Sequence, residues 1–146
     1  MKPLPIRGLQ KTSLIDYPGK IAATIFLGGC NLRCNYCYNK ELVFPTKEKS
    51  IPEQEVLAFL RKRKNVLDGV CITGGEPTIH QELPMFLKKI KDNNYKIKLD
   101  TNGTNPEMVA MLIKHHLIDY LAMDIKASEE TYQRVTSVQA DMKKIK

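Results

Sequence analysis

The stretch "GGCNLRCNYCYNKE", residues 28–41, places three cysteines close together, at Cys30, Cys34 and Cys37. Three thiolates are one fewer than a structural zinc site uses and one more than a disulfide uses. A [4Fe–4S] cluster is normally held by four cysteine thiolates, so a set of three leaves one iron free to bind another molecule. The spacing therefore favours an open iron–sulfur cluster held by a single loop.

A structural zinc site is the alternative interpretation of these cysteines. Its fourth ligand would be Cys71, His80, His115 or His116, and none of these has the spacing of a second zinc-binding pair. Cys71 lies within the apolar run "GVCIT", where a buried and unreactive thiol is the usual case. The zinc alternative is weaker, but the residues alone leave it open.

The composition of the 146 residues, 42% hydrophobic and 27% charged, is typical of one soluble globular domain. The sequence has no apolar run of about 18 residues and no apolar segment typical of a secretory signal, so we expect a cytoplasmic protein with reduced thiols and no membrane span. The net charge of +7 suits an acidic partner, but the basic residues fall on predicted helix faces. Nucleic-acid binding is therefore not expected.

Four β-rich runs alternate with helical patterns along the chain. The strands are predicted over residues 21–29, 69–73, 95–103 and 120–126, and the helices over 52–68, 81–93 and 105–116 and from 128 onward. Ser50 and Glu53 fit a capping box, and Asn105 and Pro106 fit an N-cap followed by a first-turn proline. Residues 1–20 are interpreted as a lead-in. Strands joined by helices pair in parallel, so the predicted fold class is α/β.

The unusual residues stand at the predicted carboxyl ends of these strands, where parallel α/β sheets bind their ligands. They are Cys30, the run Gly74-Gly75-Glu76-Pro77, the run Thr101-Asn102-Gly103, and the pair Asp124 and Lys126. Taken singly, each has an ordinary explanation, since "DTNG" is a good turn sequence and Asp124–Lys126 fits a plain ion pair. Their shared position at four strand ends favours one common binding site.

Two motifs, "CNLRCNYC" and "GGEP", resemble the signature of the radical S-adenosylmethionine (SAM) enzymes, with Tyr36 at the aromatic position before the last cysteine. "TNG", "DIK" and the segment before Cys30 resemble one branch of that superfamily, the activases of glycyl radical enzymes. The resemblance runs from about residue 6 to the end of the chain. It implies a parallel-sheet partial (β/α) barrel of six strands, of which residues 1–146, as a single domain, supply about four βα units.

The resemblance also implies a role for each motif residue. Cys30, Cys34 and Cys37 would ligate three irons, and SAM would chelate the fourth. The SAM-binding set would comprise Tyr36, Gly74, Gly75, Glu76, Pro77, Thr101, Asn102, Gly103, Asp124 and Lys126. Within it, Glu76 would either orient the amino group of SAM or brace its own loop. Asp100, Thr101 and Asp124 would hold a monovalent cation beside the carboxylate of SAM.

The activity that the resemblance implies is reductive cleavage of SAM at the cluster to give a 5′-deoxyadenosyl radical, which takes a hydrogen atom from a glycine of a partner enzyme such as anaerobic ribonucleotide reductase. The expected partners are that glycyl radical enzyme, a flavodoxin- or ferredoxin-type electron donor, and a second copy of the chain bound through the exposed sheet edge. The alternatives are a radical SAM enzyme for a small molecule and a non-enzymatic iron–sulfur electron-transfer module.

Overall fold

A computed structural model of the chain describes residues 4–29 and 50–123. Its five strands form one sheet in the order β1-β2-β3-β4-β5. The strands are β1 Ile6–Ser13, β2 Ala22–Leu27, β3 Gly69–Gly74, β4 Lys96–Thr101 and β5 Tyr120–Met123. The helices are α1 Glu53–Lys62, α2 Leu83–Asp92 and α3 Pro106–Lys114, with a short 3₁₀ turn over Pro77–Ile79.

Strands β2 to β5 pair in parallel, each with the next along the chain. Helices α1, α2 and α3 precede β3, β4 and β5 in turn, which confirms the predicted α/β class. Strand β1 was not predicted, because residues 1–20 were interpreted as a lead-in. It pairs antiparallel with β2, from Ile6 opposite Leu27 to Ser13 opposite Ala22.

The hydrophobic core lies between one face of the sheet and the helices. Ile25, Ile72 and Leu99 are neighbours in register across β2, β3 and β4, and all three are fully buried. They cluster with the apolar faces of the helices, such as Leu60 on α1 and Phe86 on α2. Because successive strand residues point to opposite faces, this row fixes which face each neighbouring residue occupies.

The opposite face carries a row of different chemistry, which we call the polar row: Thr24, Cys71, Lys98 and Tyr120, in register across β2 to β5. Tyr17, in the turn between β1 and β2, is buried, and its ring centroid lies 6.0 Å from that of Tyr120.

The predicted end and the predicted N-terminal cap of helix α1 differ from the structure. Helix α1 ends at Lys62 rather than near residue 68, and its N-cap, Pro52, receives no side-chain cap hydrogen bond, so the predicted capping box is wrong. The N-cap at Asn105 is confirmed, since its side chain accepts a hydrogen bond of 3.2 Å from the Met108 amide. Among the helices of the described residues, none combines the length and apolar content that crossing a membrane requires.

Candidate functional site

Glu76 holds the carboxyl ends of β3 and β4 together. Its side chain is 1% exposed, and its two oxygens accept four hydrogen bonds. Oε1 accepts from the Asn102 amide at 2.7 Å, and Oε2 accepts from the Thr101 hydroxyl at 2.6 Å. The amide and hydroxyl of Thr78 also donate to Oε2. Of the two roles considered for Glu76, these contacts correspond to bracing the loop.

The glycine-rich loop is attached to the end of β2 as well. Gly74 has a φ of +128°, and a Cβ on it would lie 2.2 Å from the carbonyl oxygen of Leu27, so no larger residue fits there. The Gly75 amide donates to the same oxygen at 2.9 Å. The Glu76 amide donates to the Gly29 carbonyl at 2.7 Å. The residue before Cys30 is therefore bound directly to the "GGEP" loop.

His80 adds a second contact to this junction. Its Nε2 lies 2.8 Å from the carbonyl oxygen of Gly28, a hydrogen bond between residues 52 positions apart. The sequence placed His80 only among the alternative zinc ligands, and the structure gives it a positioning contact to the backbone. Within residues 4–29 and 50–123, no three His, Cys, Asp or Glu side chains are grouped as metal ligands.

The loop after β4 is built around Asn102 and Gly103. The Asn102 side-chain oxygen accepts hydrogen bonds from the amide and the hydroxyl of Thr104, at 3.1 Å and 2.6 Å. Gly103 has a φ of +79°, and a Cβ on it would lie 2.5 Å from the sulfur of Met123. Asn105 Nδ2 donates to the Thr78 carbonyl at 2.9 Å. The predicted convergence of strand ends is therefore present for β2, β3, β4 and β5.

Asp100 and Thr101, which were predicted to share a cation site, lie on opposite faces of the sheet. The Thr101 hydroxyl contacts Glu76, whereas Asp100 belongs to the face of the polar row and forms an ion pair with Lys98, with 2.7 Å between Nζ and Oδ1. Adjacent residues of a strand cannot both face the same ligand from one side of a sheet. The structure thus does not bring these two predicted cation ligands together.

Cys71 is buried beside the ion pair, as its apolar sequence context predicted. Its sulfur donates to Asp100 Oδ2 at 3.6 Å. Burial raises the pKa of the Cys71 thiol to about 12, and the nearby Asp100 carboxylate adds to the shift. Burial alone would lower the pKa of Lys98, but its hydrogen bond to Asp100 and the surrounding negative charge outweigh burial, so that pKa is raised. Cys71 is therefore a neutral thiol beside a charged ammonium.

Lys98 and Asp16 were not predicted as site residues. Asp16 Oδ2 accepts a hydrogen bond of 2.6 Å from the hydroxyl of Thr24, a member of the polar row. The spacing of Lys98 and Asp100, two apart on one strand, was the signal available in the sequence. Six predicted site residues lie outside the described residues: Cys30, Cys34, Tyr36, Cys37, Asp124 and Lys126.

Comparisons with known proteins agree with these features. The radical SAM superfamily matches residues 24–146. A protein of Methanocaldococcus jannaschii named as a glycyl-radical enzyme activating enzyme is 37% identical over 97% of this chain and 58% of its own length. The pyruvate formate-lyase-activating enzyme of Clostridium pasteurianum is 30% identical over 90% of this chain and 56% of its own. The 7-carboxy-7-deazaguanine synthase of Neisseria meningitidis is 36% identical over 75% and 45%.

A solved structure has the same fold. Streptococcus suis SuiB bound to S-adenosylmethionine superimposes with a TM-score of 0.56 and 21% identity, over 76% of this chain and 26% of that one. The chain spans little more than half the length of the first two relatives, 58% and 56%. Its cysteine motif, its glycine-rich loop at the end of β3 and the match over residues 24–146 agree: the chain belongs to the radical SAM superfamily.

Proposed function

We propose that this chain is the SAM-binding part of a radical SAM enzyme that activates a glycyl radical enzyme. Cys30, Cys34 and Cys37 would bind three irons of a [4Fe–4S] cluster and leave the fourth for the amino and carboxylate groups of SAM. The cysteine motif, membership of the superfamily and 37% identity to a protein named as a glycyl-radical enzyme activating enzyme support this assignment.

The hydrogen bond between the Glu76 amide and the Gly29 carbonyl is the observation that carries the proposal. It is 2.7 Å long and joins the "GGEP" loop to the residue that precedes Cys30. A molecule that occupied the open iron would therefore lie beside the glycine-rich loop. The residues present fit SAM in this respect, because Gly74 and Gly75 have no side chains that could block the loop backbone.

Glu76 acts in this proposal through the loops that it holds. Both of its oxygens are already engaged by Thr78, Thr101 and Asn102, so its carboxylate is committed to the protein. The amino group of SAM would be bound by the backbone of the loop instead. Asn102 and Gly103 would form the floor of the same site, and Tyr36 would flank the adenine.

When bound, the reduced cluster supplies the electron that cleaves the carbon–sulfur bond of SAM. The protein's own part is to fix the two loops relative to the cysteine segment and to keep water away from the cleaved molecule. The four hydrogen bonds to Glu76 and the close packing of Gly74 on β2 serve the first task. Such a site requires an anaerobic environment, because an open iron is readily oxidised.

The hydrogen donor is proposed to be a glycine of a partner enzyme, with anaerobic ribonucleotide reductase as one candidate. The relative from Clostridium pasteurianum, named for the activation of pyruvate formate-lyase, supports a protein substrate. A flavodoxin- or ferredoxin-type protein would supply the electron. A homodimer through β5, the last strand of the described sheet, stays a prediction, and sedimentation that shows only monomer would contradict it.

A small-molecule substrate is the second candidate. Relatives named 7-carboxy-7-deazaguanine synthase, one of them 36% identical over 75% of the chain, favour it. Both candidates share the same SAM chemistry, so they differ only in the molecule that loses a hydrogen atom. The non-enzymatic electron-transfer module stays open as a third alternative, and it predicts a cluster that does not respond to SAM.

Anaerobic reconstitution tests the proposed chemistry. We expect a chain loaded with iron and sulfide, reduced with dithionite and mixed with SAM, to release methionine and 5′-deoxyadenosine, which mass spectrometry detects. Cys37→Ser should lose the cluster and the products, whereas Cys71→Ser should keep both, because Cys71 is buried beside Asp100. A cluster whose electron paramagnetic resonance signal is unchanged by SAM would contradict the proposal.

A second experiment identifies the hydrogen donor. The reconstituted chain is incubated with SAM and a purified glycyl radical enzyme, and a glycyl radical signal on that enzyme is the expected result. If 5′-deoxyadenosine forms but no tested glycyl radical enzyme gains a radical, the activase assignment fails while the SAM chemistry stands.

A further inference from the structure

The proposed function does not involve the ion pair between Lys98 and Asp100. Lys98 Nζ lies 2.7 Å from Asp100 Oδ1, and the two side chains are 12% and 34% exposed. A shielded pair of this kind is stronger than one on the surface, because water and salt screen it less. The pair therefore determines the charge at the carboxyl end of β4 on this face of the sheet.

The surroundings of the pair contain more negative than positive charge. Lys98 interacts electrostatically with two carboxylates, Asp100 on its own strand and Asp16 in the turn after β1. Asp16 is fixed by its 2.6 Å hydrogen bond from Thr24, and Cys71 contributes a neutral thiol. Asp100, Cys71 and Asp16 are the groups whose charge or hydrogen bonding acts on the ammonium of Lys98.

Both oxygens of Asp100 lie against protein groups. Oδ1 is buried at ion-pair distance from the Lys98 ammonium, without hydrogen-bond geometry, and Oδ2 accepts a hydrogen bond from the Cys71 thiol at 3.6 Å. A monovalent metal ion at Asp100 would have to displace the ammonium, which carries the same charge and donates three hydrogen bonds. Thr101, the neighbouring member of the predicted cation site, faces the opposite side of the sheet, so the described residues do not fit a metal ion there.

We propose that Lys98 is a built-in counter-ion of Asp100, which takes the place of a monovalent metal ion, so that the folded site depends on neither K⁺ nor Na⁺. The inference rests on the proposed function only for the identity of the ligand that binds beside Asp100. The ion pair itself belongs to the chain without cluster or SAM.

Thermal unfolding in matched salts tests the inference on that unloaded chain. The melting temperature of the wild type should be equal in potassium, sodium and choline chloride at the same ionic strength. Lys98→Met should melt lower in choline chloride, and K⁺ or Na⁺ should raise its melting temperature by roughly 3–5 °C, the gain expected if the ion binds about tenfold below its concentration. The double variant Lys98→Met/Asp100→Asn should lose this salt-specific gain, because the carboxylate at position 100 is gone and Asp16 is already held by the hydroxyl of Thr24.

Three results would overturn the inference. The first is a wild type stabilised by K⁺ or Na⁺ over choline, with the effect abolished in Asp100→Asn. The second is a Lys98→Met chain that folds but shows no preference among the salts. The third applies if Lys98→Met does not fold: a double variant that also fails to fold shows that Lys98 acts through packing. A double variant that folds supports the counter-ion role. A loss of SAM cleavage in any variant tests the proposed function and leaves these outcomes unaffected.

Discussion

Replacing Glu76 by Gln should destabilise the chain strongly while changing few atoms. The carboxylate accepts one hydrogen bond at Oε1 and three at Oε2, and it is 1% exposed. A Gln amide group at the Oε1 position would place a donor against the Asn102 amide, and at the Oε2 position against the Thr78 amide. Either orientation leaves one buried donor unpaired, at a cost of about 1–3 kcal/mol, and removes the charge that strengthens the remaining bonds. We expect a loss of about 2–4 kcal/mol in the free energy of unfolding.

Urea denaturation of the unloaded chain, followed by circular dichroism, measures this loss. Glu107→Gln is the matched control, because Glu107 is exposed in the first turn of α3, and its effect should stay within about 0.5 kcal/mol. Glu76→Ala should cost at least as much as Glu76→Gln, since it removes all four acceptor contacts. A Glu76→Gln chain as stable as the control would refute the view that this carboxylate holds the loops after β3 and β4 together.

Three further predictions follow from single contacts. Gly74→Ala should cost several times more stability in urea than Gly19→Ala, because both glycines have positive φ but only Gly74 would also push a Cβ to 2.2 Å from a backbone oxygen. The Cys71 thiol, with its pKa raised to about 12 by burial, should resist iodoacetamide at neutral pH until the chain unfolds, as peptide mass spectrometry will show. Burial raises the pKa of Asp119, but hydrogen bonds from Lys91 and the Ile97 amide outweigh burial, so the pKa in the folded chain is lowered. The ionised Asp119 therefore stabilises the folded chain at neutral pH, and this contribution is lost as the pH falls below about 4. Asp119→Asn should therefore lower stability by about 1–2 kcal/mol at neutral pH in urea titrations and leave acid stability nearly unchanged; equal losses at both pH values would contradict this.

The parallel part of the sheet was predictable because its strands and helices carry clear periodicity. In α2, the apolar residues Leu83, Phe86, Leu87 and Ile90 recur at helical spacing, and all four are buried. The predicted strands at 69–73 and 95–103 contain β3 and β4 almost entirely. Buried elements of this kind leave a pattern that needs no knowledge of their neighbours.

Strand β1 left no such pattern. Its sequence "IRGLQKTS" ends in four polar residues in a row and shows no regular alternation, and Gln10, Lys11 and Thr12 are exposed. It becomes a strand because β2 offers it an unpaired edge, with two register irregularities that accommodate the mismatch. That determinant is tertiary. The capping box at Ser50 is wrong for a local reason, because the N-cap of the helix is Pro52, which receives no side-chain cap hydrogen bond.

The position of the site was predictable from strand order, and its internal geometry only in part. Placing Asp100 and Thr101 in one cation site overlooked the alternation of strand side chains, which sets them on opposite faces. The same rule, applied two residues apart, would have paired Lys98 with Asp100. Asp124 and Lys126, considered above as a plain ion pair, have the same two-residue spacing, and they lie outside the described part of the chain.

The two faces of β4 therefore have different roles at the site. On the core face, Thr101 and the following Asn102 amide are bound to Glu76, which makes the loop geometry part of the folding energy. On the other face, Lys98, a member of the polar row, forms its ion pair with Asp100. A change on the core face moves the backbone that would contact SAM, whereas a change on the polar face alters the field around it and leaves the backbone in place. For this reason stability reports on Glu76, and ion dependence reports on Lys98.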